Sequence, residues 1–227
     1  MKKNSTILHQ WEVSPFCGKV RRMLDEKGIP YKRKNYNGAL VPLAAKLSRV
    51  GKLPVLDINN ERVIGSDKIA VYLDKEFPDT VQLIPRDPVL KAQMTIYQDW
   101  ADASLYWYNF YFRLKYDDAW TKTAALFAEG RPTYEKAIVK LVGRKQYMKQ
   151  LNGQGLGRYP KPKVEADFIN LMEQLSTTLA TNKWLVGESK TIADIAVASH
   201  LHEIKRTSHM AKELTARPAL NNWLDRT

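Results

Sequence analysis

A chain of 227 residues is long enough for one large domain or two modest ones, and 44% apolar with 26% charged residues is the balance of a globular protein, not a disordered one. No apolar run approaches the roughly 20 residues that cross a bilayer, no apolar stretch of the kind a leader needs follows Met1-Lys2-Lys3, and the single cysteine, Cys17, excludes an intramolecular disulfide framework. A soluble protein of a reducing, cytoplasmic setting is therefore expected, with the sequon Asn4-Ser5-Thr6 carrying no role. The net charge of +12 is uneven: residues 131–163 hold nine Lys/Arg against one acidic residue, Glu135. Such a patch is either a solvated helix face or a surface for phosphates, anionic lipid or an acidic protein.

Along the chain, Ile7 to Trp11 reads as a strand entering a turn at Val13-Ser14-Pro15. Val20, Met23 and Leu24 then fall at helical spacing between Cys17 and Lys27, and Gly28 ends the run. Tyr31–Asn35 reads as a second strand and Pro42–Ser48 as a short helical turn. Residues 53–58 and 62–64, flanking Asn59-Asn60, carry a hairpin signal. Ser66 is expected to cap a helix bearing Ile69, Tyr72 and Leu73 that closes at Phe77-Pro78. The order is βαβ then ββα, an α/β region predicted at 1–79.

From Val89 to Leu114, apolar residues recur every three or four positions and predict one long amphipathic helix. Further helices are predicted at about 118–129, 132–150, 163–180, 191–207 and 218–225, an all-helical region at 88–227. Asn152 to Gly157 is expected to be a loop. It lacks the G-x-G-x-x-G spacing and follows a helix, so it is not a nucleotide-binding loop.

Some residues suggest chemistry directly. A strand that turns into a helix places free backbone N–H groups beside Ser14, where a small hydroxyl could donate a hydrogen bond to a bound thiolate; the plain alternative is an N-cap. Ser66 and the first N–H groups of its helix form a carboxylate site. Pro54 at the head of a strand suggests a cis peptide after Leu53. Thr191 and Asp194 have capping-box spacing, a structural role. His200 and His202 are too far from other ligand types to predict a metal.

Four segments share one pattern in order and spacing: Ser14 to Arg21, Gly51 to Leu56, Gly65 to Leu73, and Leu185-Val186-Gly187 with Thr191 to Ala196. Together the chain resembles the cytosolic glutathione transferase superfamily. The resemblance implies a thioredoxin-like N-terminal domain, an all-helical C-terminal domain and a homodimer. It implies that Ser14 hydrogen-bonds the glutathione sulfur and that Phe16, Lys52, Leu53, Pro54 and Ser66 belong to the glutathione-binding set. Leu53 offers its backbone to the cysteinyl unit, and Lys52 is free to pair with the glycyl carboxylate. Where the pattern has Glu or Gln before the serine this chain has Gly65, which leaves Asp67 to take the α-ammonium. The helix spanning Tyr106–Phe112 is implied to line a pocket for a hydrophobic electrophile, with Tyr108, Tyr111 and Phe112 facing it and Trp107 and Phe110 in the core. Cys17 corresponds to a buried core position, and no tyrosine precedes Tyr31 to serve in place of Ser14. The expected activity is conjugation or exchange of glutathione on an electrophile. The alternative is a non-enzymatic member that binds a protein or anionic partner through its basic surface; nucleic acid is not expected, since no recognition motif accompanies the charge.

Overall fold

The computed structural model describes residues 6–48 and 50–227; the sequon and the first positions of the chain lie largely outside them. Strand β1 (Ile7–Gln10) is followed by α1 (Pro15–Glu26), β2 (Lys32–Asn35), a 3₁₀ stretch (Gly38–Lys46), β3 (Val55–Ile58), β4 (Glu61–Ile64) and α2 (Ser66–Glu76). The sheet order is β2-β1-β3-β4. β1 and β2 run parallel, with Leu8 opposite Arg33, whereas β3 is antiparallel to both β1 and β4. This is the thioredoxin-like arrangement. Strand β2 is one of the two edges, and its four residues are all polar and exposed, which protects an unpaired backbone from further pairing.

The second region is helical: α3 (Pro88–Trp100), α4 (Tyr106–Lys115), α5 (Asp117–Phe127), α6 (Thr133–Ile138), α7 (Arg144–Gln154), α8 (Lys161–Thr181), α9 (Ile192–Thr207), α10 (Ala211–Thr215) and α11 (Pro218–Asp225). α3 and α4 form the single long helix read from the sequence, joined through a wide π turn at Ala101–Leu105. A second π turn, Val139–Gly143, joins α6 to α7. The core is continuous across both regions, because α1 packs directly on α9 and Val20, Met23, Ile69 and Leu73 share one apolar cluster with Leu105, Phe168 and Leu201. No described helix is long and apolar enough to cross a membrane.

The structure corrects three local expectations. Gly65, not Ser66, caps α2: it takes φ 93°, a conformation that L side chains rarely adopt, and Ser66 becomes the first helical residue. The expected loop at Asn152–Gly157 starts later, because buried Leu151 anchors the last turn of α7 and helix persists through Gln154 until Gly155 turns at φ 113°. Helix α10, five residues long, was too short to give a periodic signal.

Candidate active site

Ser14 is the N-cap of α1. Its Oγ accepts a hydrogen bond from the Cys17 N–H at 3.3 Å, and Pro15 supplies the first helical φ without needing a donor partner. Accepting at the cap leaves the hydroxyl proton of this half-buried serine free to donate outward. Outward lies a cavity of about 470 Å³ between the two regions. Trp11, Ser14, Phe16, Lys52 and Leu53 form its α/β side; Tyr106, Trp107 and Phe110 form its helical side, with Trp120 and Tyr147 behind them.

The helical wall is a continuous aromatic assembly. Tyr106 stacks on Phe110 at 5.3 Å between centroids and contacts Phe16 at 5.4 Å, while Phe110 meets the Tyr147 ring edge-on at 5.4 Å. Burial pushes the Tyr106 phenol up to about 12, so it stays neutral. The wall therefore uses Tyr106, Trp107 and Phe110, in place of the residues expected there. Tyr111 and Phe112 are fully buried, and Phe112 lies 5.0 Å from the Phe168 ring of α8. Tyr108 also packs on Phe168, at 5.8 Å. None of the three lines the cavity. The reason is rotational: the π turn at 101–105 inserts extra backbone before α4 and shifts which stripe faces the α/β region.

Two arginines pin the turn that carries Ser14. Arg113 of α4 donates through Nη1 to the Val13 carbonyl at 2.8 Å, and Arg206 of α9 donates through Nη2 to the Glu12 carbonyl at 2.8 Å. Buried Glu203 accepts from both guanidinium groups and so balances two charges. Below the cavity, Lys19 is 1% exposed and donates to Asp102 at 2.6 Å and to Asp67 at 3.0 Å, while His200 Nε2 lies 3.4 Å from Asp102. Burial would raise the Asp102 carboxyl, but His200 and Lys19 more than offset it and hold it low; burial lowers His200. The network was missed in the sequence, although Lys19 on the apolar stripe of α1 was a signal, because a lysine there must be paired once buried.

The remaining predicted residues fall around this site. Leu53–Pro54 is cis, as read from the sequence, and both residues are buried. Lys52 is exposed at the rim. Ser66 is buried at the start of α2, outside the cavity lining, with its hydroxyl 3.4 Å from Asp67 Oδ1. That same oxygen accepts from Lys19 and from Gln98 at 3.0 Å, while Oδ2 has no partner among the described residues. Cys17 is fully buried with Tyr36, Leu53 and Val55, and burial pushes its thiol up to about 11. Among the described residues no group of three or more His, Cys, Asp or Glu is placed to hold a metal.

A thioredoxin-like domain whose first helix caps onto a cavity walled by an all-helical second domain defines a two-domain class of fold. The glutathione S-transferase N-terminal domain model matches residues 8–81 and the C-terminal domain model matches residues 149–226. The chain belongs to the cytosolic glutathione transferase superfamily. It is 31% identical to a probable glutathione S-transferase, parA, of Nicotiana tabacum over 47% of this chain and 49% of that one. It is 26% identical to an isoprene-epoxide glutathione S-transferase of Rhodococcus sp. (strain AD45) over 85% and 81% of the two chains. The matches span about half the length of the first of these curated relatives. A solved glutathione S-transferase from Rhodospirillum rubrum shares the fold, with TM-score 0.64 at 18% identity over 96% of this chain and 86% of that chain.

Proposed function

We propose that the chain is a glutathione-dependent transferase that forms or exchanges a thioether on a hydrophobic electrophile in the cytoplasm, with Ser14 donating its hydroxyl hydrogen bond to the glutathione thiolate. The observation that carries this reading is the convergence on one cavity of Ser14, the Lys52-Leu53 segment and an aromatic wall. The first two suit a peptide thiol and the third suits an apolar partner. The chemistry needs no metal. The thiol releases its proton to solvent, and the Ser14 hydroxyl with the N-terminal N–H groups of α1 favours the anion that remains. A sulfur lone pair then forms the S–C bond while the leaving group, or an opening epoxide oxygen, takes the electrons of the bond that breaks. Ser14 keeps its proton throughout.

The glutathione peptide fits the surrounding residues. Leu53 N–H and C=O would pair with the cysteinyl backbone across Pro54, and Lys52 would meet the glycyl carboxylate. Ser66 with the N-terminus of α2 would hold the γ-glutamyl carboxylate. Asp67 Oδ2 would take the α-ammonium; its partner oxygen, held by Lys19 and Gln98, fixes the carboxylate in place. A homodimer would cover the exposed Val71 of α2 and the Val89 and Ile96 of α3, two helices bridged by the Gln98–Asp67 bond.

The test is conjugation of a panel that includes an epoxide and an aryl halide, since one relative is named for an epoxide. Ser14→Ala should lower turnover about 100-fold, the usual cost of losing one donor to a developing or reacting anion. Glutathione binding by calorimetry should stay within a few-fold. Cys17→Ala should remain near wild type. Full activity in Ser14→Ala with loss in Cys17→Ala would remove the serine assignment. A wild type that neither binds glutathione nor conjugates any panel member would remove the enzyme reading.

A further inference from the structure

The surface of α6–α7 has a pattern the active site does not use. Glu135, Val139, Tyr147 and Leu151 mark the inward stripe: Glu135 accepts from the Ala39 N–H at 2.8 Å, Val139 and Tyr147 pack on the core, and Leu151 is buried. One flank and the outward side carry Tyr134, Ile138, Leu141 and Val142, exposed to 66, 54, 78 and 64%. These four lie within nine residues on successive turns, Tyr134 and Ile138 on α6 and Leu141 and Val142 in the π turn that follows, and form one apolar strip. The opposite flank and the distal turns carry the exposed Lys136, Lys140, Lys145 and Lys149, none of which has a carboxylate within 4.0 Å among the described residues. The only acidic side chain of the segment, Glu135, is turned inward and held by Arg131 at 2.7 Å.

We propose that α6–α7 docks on an anionic lipid surface, with the apolar strip entering the interface and the lysines meeting the headgroups. An amphipathic helix with an apolar strip on one side and cations beside it lies in the plane of a membrane interface and is held by both terms together. Tyr134, Ile138, Leu141 and Val142 line none of the three cavities described for the molecule, and side chains exposed by 54–78% suit shallow insertion into a deformable layer. A second copy is disfavoured by charge. A two-fold contact through this face would bring four unpaired lysines up to the same four of its mate. The inference is independent of the transferase reading.

The test uses the full chain in sedimentation with vesicles of phosphatidylcholine alone or with 30% phosphatidylserine. Binding should be at least about tenfold stronger to the anionic vesicles and weaken as salt is raised, each lysine contributing roughly fivefold. The variant Ile138→Ser/Leu141→Ser/Val142→Ser should lose about tenfold or more on anionic vesicles, because three exposed apolar side chains are removed and no charge changes. Its denaturation midpoint and its glutathione binding should match wild type, which separates loss of docking from loss of folding. Lys136→Glu/Lys140→Glu/Lys145→Glu should abolish vesicle binding. The proposal is overturned by equal binding to both vesicle types, by no binding at 0.15 M salt, or by undiminished binding of the serine variant. It is also overturned if the serine substitutions leave vesicle binding alone but lower the sedimentation coefficient, which assigns the strip to a second copy, or abolish binding of polyglutamate, which assigns it to an acidic protein.

Discussion

Helix α9 and the α6–α7 segment lie in the same helical region, yet they satisfy their residues in opposite ways. α9 buries thirteen of its sixteen residues, and it touches α1, α3, α4, α5 and α10. Its N-terminus is closed by its own chain: Thr191 Oγ1 accepts from the Ala193 N–H at 3.2 Å, and Asp194 returns to the Thr191 N–H at 2.9 Å. The Asp194 carboxylate also accepts from the Leu185 N–H and from Trp223 Nε1, each at 2.9 Å, and so ties the preceding loop and α11 to one buried group. The α6–α7 segment has no side-chain cap bond at either N-terminus, and only Glu135 and Leu151 among its helical residues are buried. Most side chains of α9 are explained by burial in the core. The strip and lysines of α6–α7 are not, and an unexplained apolar surface is where an interaction is sought.

The largest effect that tests this contrast is expected at Asp194. Asp194→Ala leaves three buried N–H donors without an acceptor at once, each costing about 1–3 kcal/mol, so a loss of about 3–5 kcal/mol or failure to fold is expected by urea denaturation. A loss below about 1 kcal/mol would show that α9 does not depend on its cap.

Acid should come next, and it too acts through α9. Burial first, then Arg22 and Lys205, lower His202 to about 4. Folded protein thus keeps this histidine neutral where the unfolded chain, with a histidine near 6.5, takes up a proton. Stability is therefore full above about pH 6.5 and is lost as pH falls from there toward 4, by roughly 2–3 kcal/mol. His202→Gln should reduce the slope over that window, with His200, lowered by the same burial, keeping part of it. An unchanged slope would place the acid sensitivity at groups other than His202, His200 first among them.

Thr191→Ala should cost less, about 1 kcal/mol, the usual loss for an N-cap. Glutathione affinity should not move with it, because the cap lies away from the cavity. An unaltered midpoint in thermal or chemical denaturation would show that the Asp194 half of the box suffices alone.

Much of this molecule was legible in the chain because the signals are local. Ser14-Pro15 marks a helix start, Thr191 and Asp194 a capping box, and the three- and four-residue spacing from Val89 to Leu114 a long helix; each follows from backbone donors, side-chain acceptors and turn geometry within a few residues. The same local logic placed Cys17 in the core and marked Leu53–Pro54 as cis. Which stripe of α4 would face the cavity was not legible. Tyr106, Trp107 and Phe110 differ from Tyr108, Tyr111 and Phe112 only by rotation about one axis, and a π turn upstream, permitted by packing against α9 and the α/β region, selected between them. The clamp of Arg113, Glu203 and Arg206 on the Ser14 turn was equally hidden, since its partners stand 90 to 194 residues apart in sequence. Sequence alone determined most of the elements, the capped serine and the buried cysteine, because hydrogen bonding and hydrophobic spacing act over one or two turns. Only the tertiary structure decided which aromatic face, which cations and which exposed strip those elements present, because that depends on how helices distant in sequence rotate and pack against one another.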